Sequence, residues 1–269
     1  MYVCTDALPR FAAEIVPRLT DPFVLVSGDS DRAVDLTLAA TPAISALLSS
    51  DLLLGWYAQN RVLEHPKLRS LPIGLDYHTM WEQPGRWGLT ALSALAQERL
   101  LLDTLARAPS LPRRYLSIYN NWHFAIERGD RRACRARLDP ALCFYEPHPI
   151  SRAASWSRAA EFLFVACPEG EGMDCHRTWE TLLLGSIPIV KRNALLPLFD
   201  GLPVLVVDDW DAISRDQLER FVQKVLKTTY DFSGLFLQTW IDRWRGRRPQ
   251  PVPRATFETF RQWLTRTTG

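Results

Sequence analysis

Short apolar, β-rich runs alternate along the chain with stretches whose apolar residues recur at helical spacing, the pattern of an α/β protein with mostly parallel strands. In the first half, residues 22–27 (PFVLVS), 52–57 (LLLGWY) and 68–73 (LRSLPI) predict strands. Two of them run into polar turns, Gly28-Asp29-Ser30-Asp31 and Gly74-Leu75-Asp76-Tyr77-His78. A leucine- and alanine-rich helix is expected over residues 89–108. Residues 108–114, with Pro109 and Pro112 and no periodicity, read as a linker. The alternation then restarts, with strands expected at 115–119, 142–145, 162–167, 187–191 and 203–207. Helices are expected near 128–138, 151–160 and 174–184, and Ser214 with Gln217 three residues on forms a capping box. Beyond Thr229, two aromatic helical segments flank a break at 245–253. Phe257, Phe260 and Leu264 give the last segment a face that must pack. The pattern predicts two α/β halves, residues 1–110 and 111–269, with a C-terminal helical tail.

Composition narrows the class. A chain of 269 residues with 47% hydrophobic positions is neither disordered, collagen-like nor a coiled coil, and its length favours two domains. Net charge is +2, so nothing demands a nucleic-acid partner or an anionic membrane. The basic residues are almost all arginine, which suits bidentate recognition of phosphate or carboxylate, although a GC-rich genome explains the bulk of them. Five scattered cysteines form no disulfide framework and suggest a reducing, cytoplasmic location. The start Met1-Tyr2-Val3-Cys4-Thr5-Asp6 lacks the signature of a signal peptide. Residues 43–58 are broken by Ser49, Ser50 and Asp51, short of the ~20 apolar residues that span a bilayer, so no transmembrane segment is expected.

The informative stretch is FLFVACPEGEGMDCHRTWETLLLGSIPIV, residues 162–190. A buried strand ends at Cys167-Pro168, Gly170 and Gly172 permit a tight turn, and Asp174 stands where an N-cap would open a helix beginning at Cys175. Free N–H groups and the positive end of a helix dipole would then lie at the carboxyl edge of a parallel sheet, where phosphate binds well. His176, Arg177 and Glu180 share one helical face. The arginine can fork onto phosphate oxygens, and the carboxylate can accept hydrogen bonds from ribose hydroxyls. Cys175, Trp179, Leu182 and Leu183 form the opposite, core-facing stripe, and Gly185 ends the helix. By pattern alone, an Arg177–Glu180 surface ion pair on a structural helix explains the same residues equally well.

This run resembles the nucleotide-sugar-binding segment of exostosin-like glycosyltransferases, with their P-x-G-x-G loop, R-x-x-E helix and G-x-I-P-I-V return. Further similarity lies in DPFVLVSGDSD, LGWYAQN, LPIGLDYHT and LPVLVVDDW, so it extends over residues 23–210 and is most specific between Pro168 and Val190. The resemblance implies a GT-B fold of two Rossmann-like lobes about a central ligand cleft, the acceptor-side lobe first and the nucleotide-sugar lobe second. It implies transfer, with inversion, of a sugar from a nucleoside-diphosphate donor, UDP above all, to a glycan or other hydroxyl acceptor. The nucleotide-sugar is then a substrate, and no cofactor and no metal are expected. One departure is Glu169-Gly170-Glu171, two acids that would repel a pyrophosphate.

Inverting transfer needs a general base. The turns after the first-half strands offer Asp29, Asp31, Asp76 and His78, with Asp31 or His78 favoured; Gly-Asp-Ser-Asp is also ordinary turn chemistry. Asn60 could bind acceptor hydroxyls or merely cap a strand end. Asn120, Asn121 and Arg128 follow the first strand of the second half and could bracket the diphosphate, with a helix-surface role the plain alternative for Arg128, and Lys191 at a strand end could neutralise phosphate. Asp208-Asp209 reads as a loop, Cys175 as a structural thiol, and Cys167, Cys175 and His176 lack zinc spacing. Two rival readings remain: a catalytically inactive nucleotide- or sugar-binding module, and an interaction protein acting through the tail Arg243-Trp244-Arg245-Gly246-Arg247-Arg248.

Overall fold

Continuous apolar runs suit strands covered on both faces, and they build two separate parallel sheets. The structure, a computed structural model, describes residues 1–82, 85, 91–124, 126, 128–252 and 254–267. In the first sheet β1 (Tyr2–Cys4), β2 (Phe23–Gly28), β3 (Leu53–Ala58) and β4 (Leu68–Ser70) lie in chain order. Between them run α1 (Leu8–Arg10), α2 (Leu36–Ala39) and α3 (Pro42–Ser49). Leu25, Ile44, Leu47, Leu53 and Trp56 form its core. Trp56 keeps its indole N–H satisfied there, donating to Ser27 Oγ at 2.8 Å.

The second sheet contains β5 (Tyr115–Asn120), β6 (Cys143–Tyr145), β7 (Phe162–Ala166), β8 (Ile187–Lys191) and β9 (Leu205–Val207), in the order β6-β5-β7-β8-β9. From β5 the chain moves outward to β6, then crosses back over β5 to β7 and continues the other way to β9. Such a reversal opens a crevice at the carboxyl ends of the two strands, where ligands of open α/β sheets bind. Following the strands come α4 (His78–Glu82) and α5 (Ala94–Arg107), then α6 (Arg131–Arg137), α7 (Arg152–Ala159) and α8 (His176–Leu183). The series ends with α9 (Arg215–Lys227), α10 (Leu237–Trp244) and α11 (Phe257–Thr267). Ser214 caps α9 through the N–H of Gln217, as its spacing predicts.

The division between the two cores does not fall at residue 110. Leu101 and Leu105 of α5 belong to the larger, second core with Ile118, Phe164, Leu182 and Ile189. One helical turn separates the two leucines, and their stripe packs against α7, α8 and α11. The expected helix at 89–108 starts later, at Ala94 after the cap Ser93; residue 89 lies outside the described residues, as does residue 253 of the tail break. The strand expected at 68–73 stops at Ser70, because Pro72 and Gly74 (φ +69°) cannot continue a ladder. Phe257, Phe260 and Leu264 are buried as their spacing requires, with Phe260 stacked on Phe232 at 3.8 Å. The tail reaches back to the first sheet, where Trp244 meets Tyr57 edge-on at 6.4 Å. Among the described residues no helix is long and apolar enough to cross a membrane.

Candidate functional site

The carboxyl ends of both sheets face one cavity of about 1490 Å³. Asp29, Asp31, Asp76 and His78 line it from the first sheet's loops, and Gly170, Gly172, His176, Arg177 and Glu180 from the second's. The three helix residues share the cavity face, as their spacing predicts. His176 Nδ1 lies 2.8 Å from the Gly74 carbonyl, and Arg177 Nη2 donates to the Asn121 carbonyl at 3.1 Å.

The two glycines serve close approach. A Cβ on Gly172 would stand 2.9 Å from both Asn60 Nδ2 and Asp31 Oδ1, and one on Gly170 would lie 3.1 Å from the Arg131 guanidinium. The loop is therefore pressed against the first lobe on one side and a cation on the other.

Asp174 does not cap the helix; Cys175 is the N-cap residue. The Asp174 carboxylate accepts from Ile73 N–H at 2.7 Å and from Trp179 Nε1 at 2.8 Å, while its own N–H donates to Asn60 Oδ1 at 2.9 Å. Burial pushes this carboxyl up to about 7, against the lowering pull of these hydrogen bonds. Asn60 is buried with a left-handed backbone (φ +52°) and does not line the cavity. Both residues tie the lobes together; Asp174 also lines the cavity, while Asn60 stands behind its wall. Cys175 lines the cavity rather than the core, and burial raises its thiol pKa, the opposite of an activated nucleophile.

Arg128 is exposed and stands outside the cavity. The left-handed Gly129 (φ +82°) turns the chain so that Arg131, at the start of α6, faces the glycine loop instead. Arg131 Nη1 donates to the His123 carbonyl at 3.0 Å, and its Nε is buried with no hydrogen bond. Burial lowers its pKa, and the neighbouring Arg177 charge lowers it further. Two guanidiniums thus stand side by side at the α8 N-terminus, where the Thr178 N–H donates to the Cys175 carbonyl and the N–H groups of His176 and Arg177 have no acceptor within the helix. Lys191 also lies outside the cavity, at the end of β8, with Nζ 4.0 Å from Asp209. Of the two loop acids, Glu169 turns away to Asn193 at 2.9 Å, and Glu171 lines the cavity.

Across the cleft, Asp29 (φ +56°) and Asp31 are exposed turn residues on the cavity wall. Asp76 is not a free base. Burial alone would raise its pKa, yet Arg152, 2.6 Å from Oδ2, and the Thr79 N–H hold it down at about 2. Behind His78 it stands in an orienting position, with Oδ1 3.2 Å from Nδ1.

Arg131, Arg152 and Trp122, which lines the cavity with the Arg177 guanidinium 6.0 Å from its ring centre, escaped the sequence pattern; the repeated Arg128, Arg131 and Arg132 around Gly129 was the available signal for the first. Asp208 pairs with Arg192, and Asp209 with Arg137, as a loop role requires. Among the described residues no group of three His, Cys, Asp or Glu could hold a metal ion. The chain matches no protein-family model and no curated protein.

Proposed function

We propose that this chain is a glycosyltransferase of GT-B-like architecture. It moves a sugar from a nucleoside-diphosphate donor, UDP by the exostosin-like resemblance, to a hydroxyl of a glycan or related acceptor with inversion. The observation that supports it most is the pair Arg131 and Arg177 at the α8 N-terminus, at the crevice of the second sheet and opposite His78 backed by Asp76. Two adjacent cations and first-turn N–H groups stabilise an anion.

The diphosphate lies over the Gly170–Gly172 loop, held by Arg131 and Arg177, with Glu180 one turn on for the ribose hydroxyls. Asp76 holds the Nδ1–H tautomer of His78, which leaves Nε2 free to take the acceptor hydroxyl proton. The deprotonated oxygen attacks the anomeric carbon from the face opposite the diphosphate, and the bond to the leaving phosphate oxygen breaks. The two guanidiniums balance the charge that develops on that oxygen.

The test is release of the nucleotide (UDP, GDP or CMP) from a panel of UDP-, GDP- and CMP-sugars, with and without hydroxyl acceptors. A transferase releases product from one donor class, and His78→Ala slows release by about 10²–10⁴-fold while leaving nucleotide binding intact. Nucleotide binding without turnover would establish the inactive binding module instead, and no nucleotide binding would remove both.

A further inference from the structure

The donor lobe reaches across the cleft to the proposed base. Arg152, at the first position of α7, sends its guanidinium to Asp76: Nη1 donates to the backbone carbonyl at 2.5 Å and Nη2 to carboxylate Oδ2 at 2.6 Å. The Asp76 side chain is buried and that of Arg152 nearly so, with 7% and 11% of their surface exposed. The other carboxylate oxygen, Oδ1, accepts the Thr79 N–H at 3.0 Å and stands 3.2 Å from His78 Nδ1. His78 itself is half open to the cavity, its ring 6.0 Å from the ring of His176 on α8. The carboxylate is therefore fixed at both oxygens, one by each lobe, and the imidazole hangs from the oxygen that the first lobe supplies.

We propose that Arg152 is a positioning residue for the general base: by clamping Asp76 from the opposite lobe it sets the tautomer and direction of His78. This rests on the transferase reading and adds a condition to it. A neutral imidazole in water favours the tautomer with the proton on Nε2, which cannot accept a second proton there. A fixed carboxylate at Nδ1 reverses that preference. Without the bidentate clamp the Asp76 carboxylate can rotate toward water and release the ring. The clamp exists only while the two lobes are in contact, so the base is competent only in the closed cleft. The Asp174 and Asn60 ties lie at the same seam and hold the lobes together without touching the base. They can keep the cleft closed while the clamp is cut.

The experiment compares wild type, Arg152→Met, Arg152→Lys and Asp76→Asn. Imidazole nitrogen chemical shifts report the His78 tautomer, and steady-state kinetics report kcat and donor KM. Wild type should carry the Nδ1–H form. Arg152→Met should move the population toward Nε2–H and lower kcat about 10-fold or more, with donor KM changed less than about twofold because the diphosphate contacts remain. Arg152→Lys should recover part of both, since an ammonium engages one oxygen but lacks the fork. Asp76→Asn takes away the carboxylate charge that favours the proton on Nδ1 and should move the population toward the Nε2–H form. This variant marks the spectrum of a ring released from the carboxylate, and Arg152→Lys, which keeps an interlobe cation but loses the fork, decides the matter if Arg152→Met does not fold: an unchanged tautomer there would overturn the role. An unchanged tautomer in Arg152→Met, or a loss carried by KM alone, would overturn the positioning role and leave a structural strut. If wild type transfers no sugar, the transferase reading fails, and the nitrogen shifts still decide whether Arg152 controls the ring.

Discussion

Removing the Arg131 guanidinium should separate ligand affinity from stability. In the free protein Arg131 donates to a backbone carbonyl, lies against the Cys175 thiol, buries an Nε without a hydrogen bond and sits between the Arg177 and Glu171 charges. The hydrogen bond stabilises by about 1 kcal/mol, and the desolvation and like-charge terms offset it, so Arg131→Ala should leave the unfolding free energy within about 1 kcal/mol of wild type. A charge-assisted bond to phosphate contributes about 1.5–3 kcal/mol, so binding of UDP should weaken about 10- to 150-fold. Arg177→Ala should behave alike. The double variant should lose less than the sum if both side chains grip one phosphate, and the full sum if each holds its own. Isothermal titration with UDP and with inorganic pyrophosphate, alongside urea unfolding of the unliganded proteins, measures both quantities. Unchanged affinity, or a stability loss as large as the affinity loss, would refute an anion site between the two arginines.

Gly172→Ala would drive a methyl group to 2.9 Å from Asn60 Nδ2 and Asp31 Oδ1, prying at the seam between the lobes. A loss of about 1–3 kcal/mol is expected in denaturant unfolding, and none if the seam is soft. At Gly129 the strain is greater, because φ is +82° and a Cβ would lie 2.4 Å from the Glu169 and Gly170 carbonyls. Gly129→Ala should cost about 3 kcal/mol or more, and a neutral result would contradict the packing of the glycine loop. The two buried carboxyls should respond to pH in opposite senses. Asp174, with a folded pKa of about 7 against 3.8 unfolded, contributes stability that is fully present below pH 4 and is lost as pH rises through 7. Asp76, depressed to about 2, contributes stability above pH 4 that is lost as pH falls through 2. Unfolding free energies of Asp174→Asn and wild type should therefore diverge between pH 4 and 7, and parallel curves would show that Asp174 does not titrate there.

The strands were legible because a parallel sheet covered on both faces needs continuous apolar runs, and residues 162–166 and 187–191 are such runs. The cavity face of α8 was legible for a similar reason, since His176, Arg177 and Glu180 share it by spacing alone. What a residue meets across the cleft was not. Asp174 has the sequence position of an N-cap, yet the neighbouring lobe supplies Ile73 N–H and Asn60 Oδ1, and those partners decide its role. Arg128 and Arg131 are both basic and three residues apart; a left-handed glycine between them determines which one faces the loop. The stripe of α5 announces a buried face without saying which core buries it. Strand β1, three residues long, is below the length at which periodicity can be read.

The most direct measurement is a crystal structure of the protein with UDP bound. The diphosphate should lie between the Arg131 and Arg177 guanidiniums over the Gly170–Gly172 loop, with a ribose hydroxyl at Glu180. Nucleotide bound anywhere else, or a cleft left unfilled at saturating UDP, would contradict the donor site.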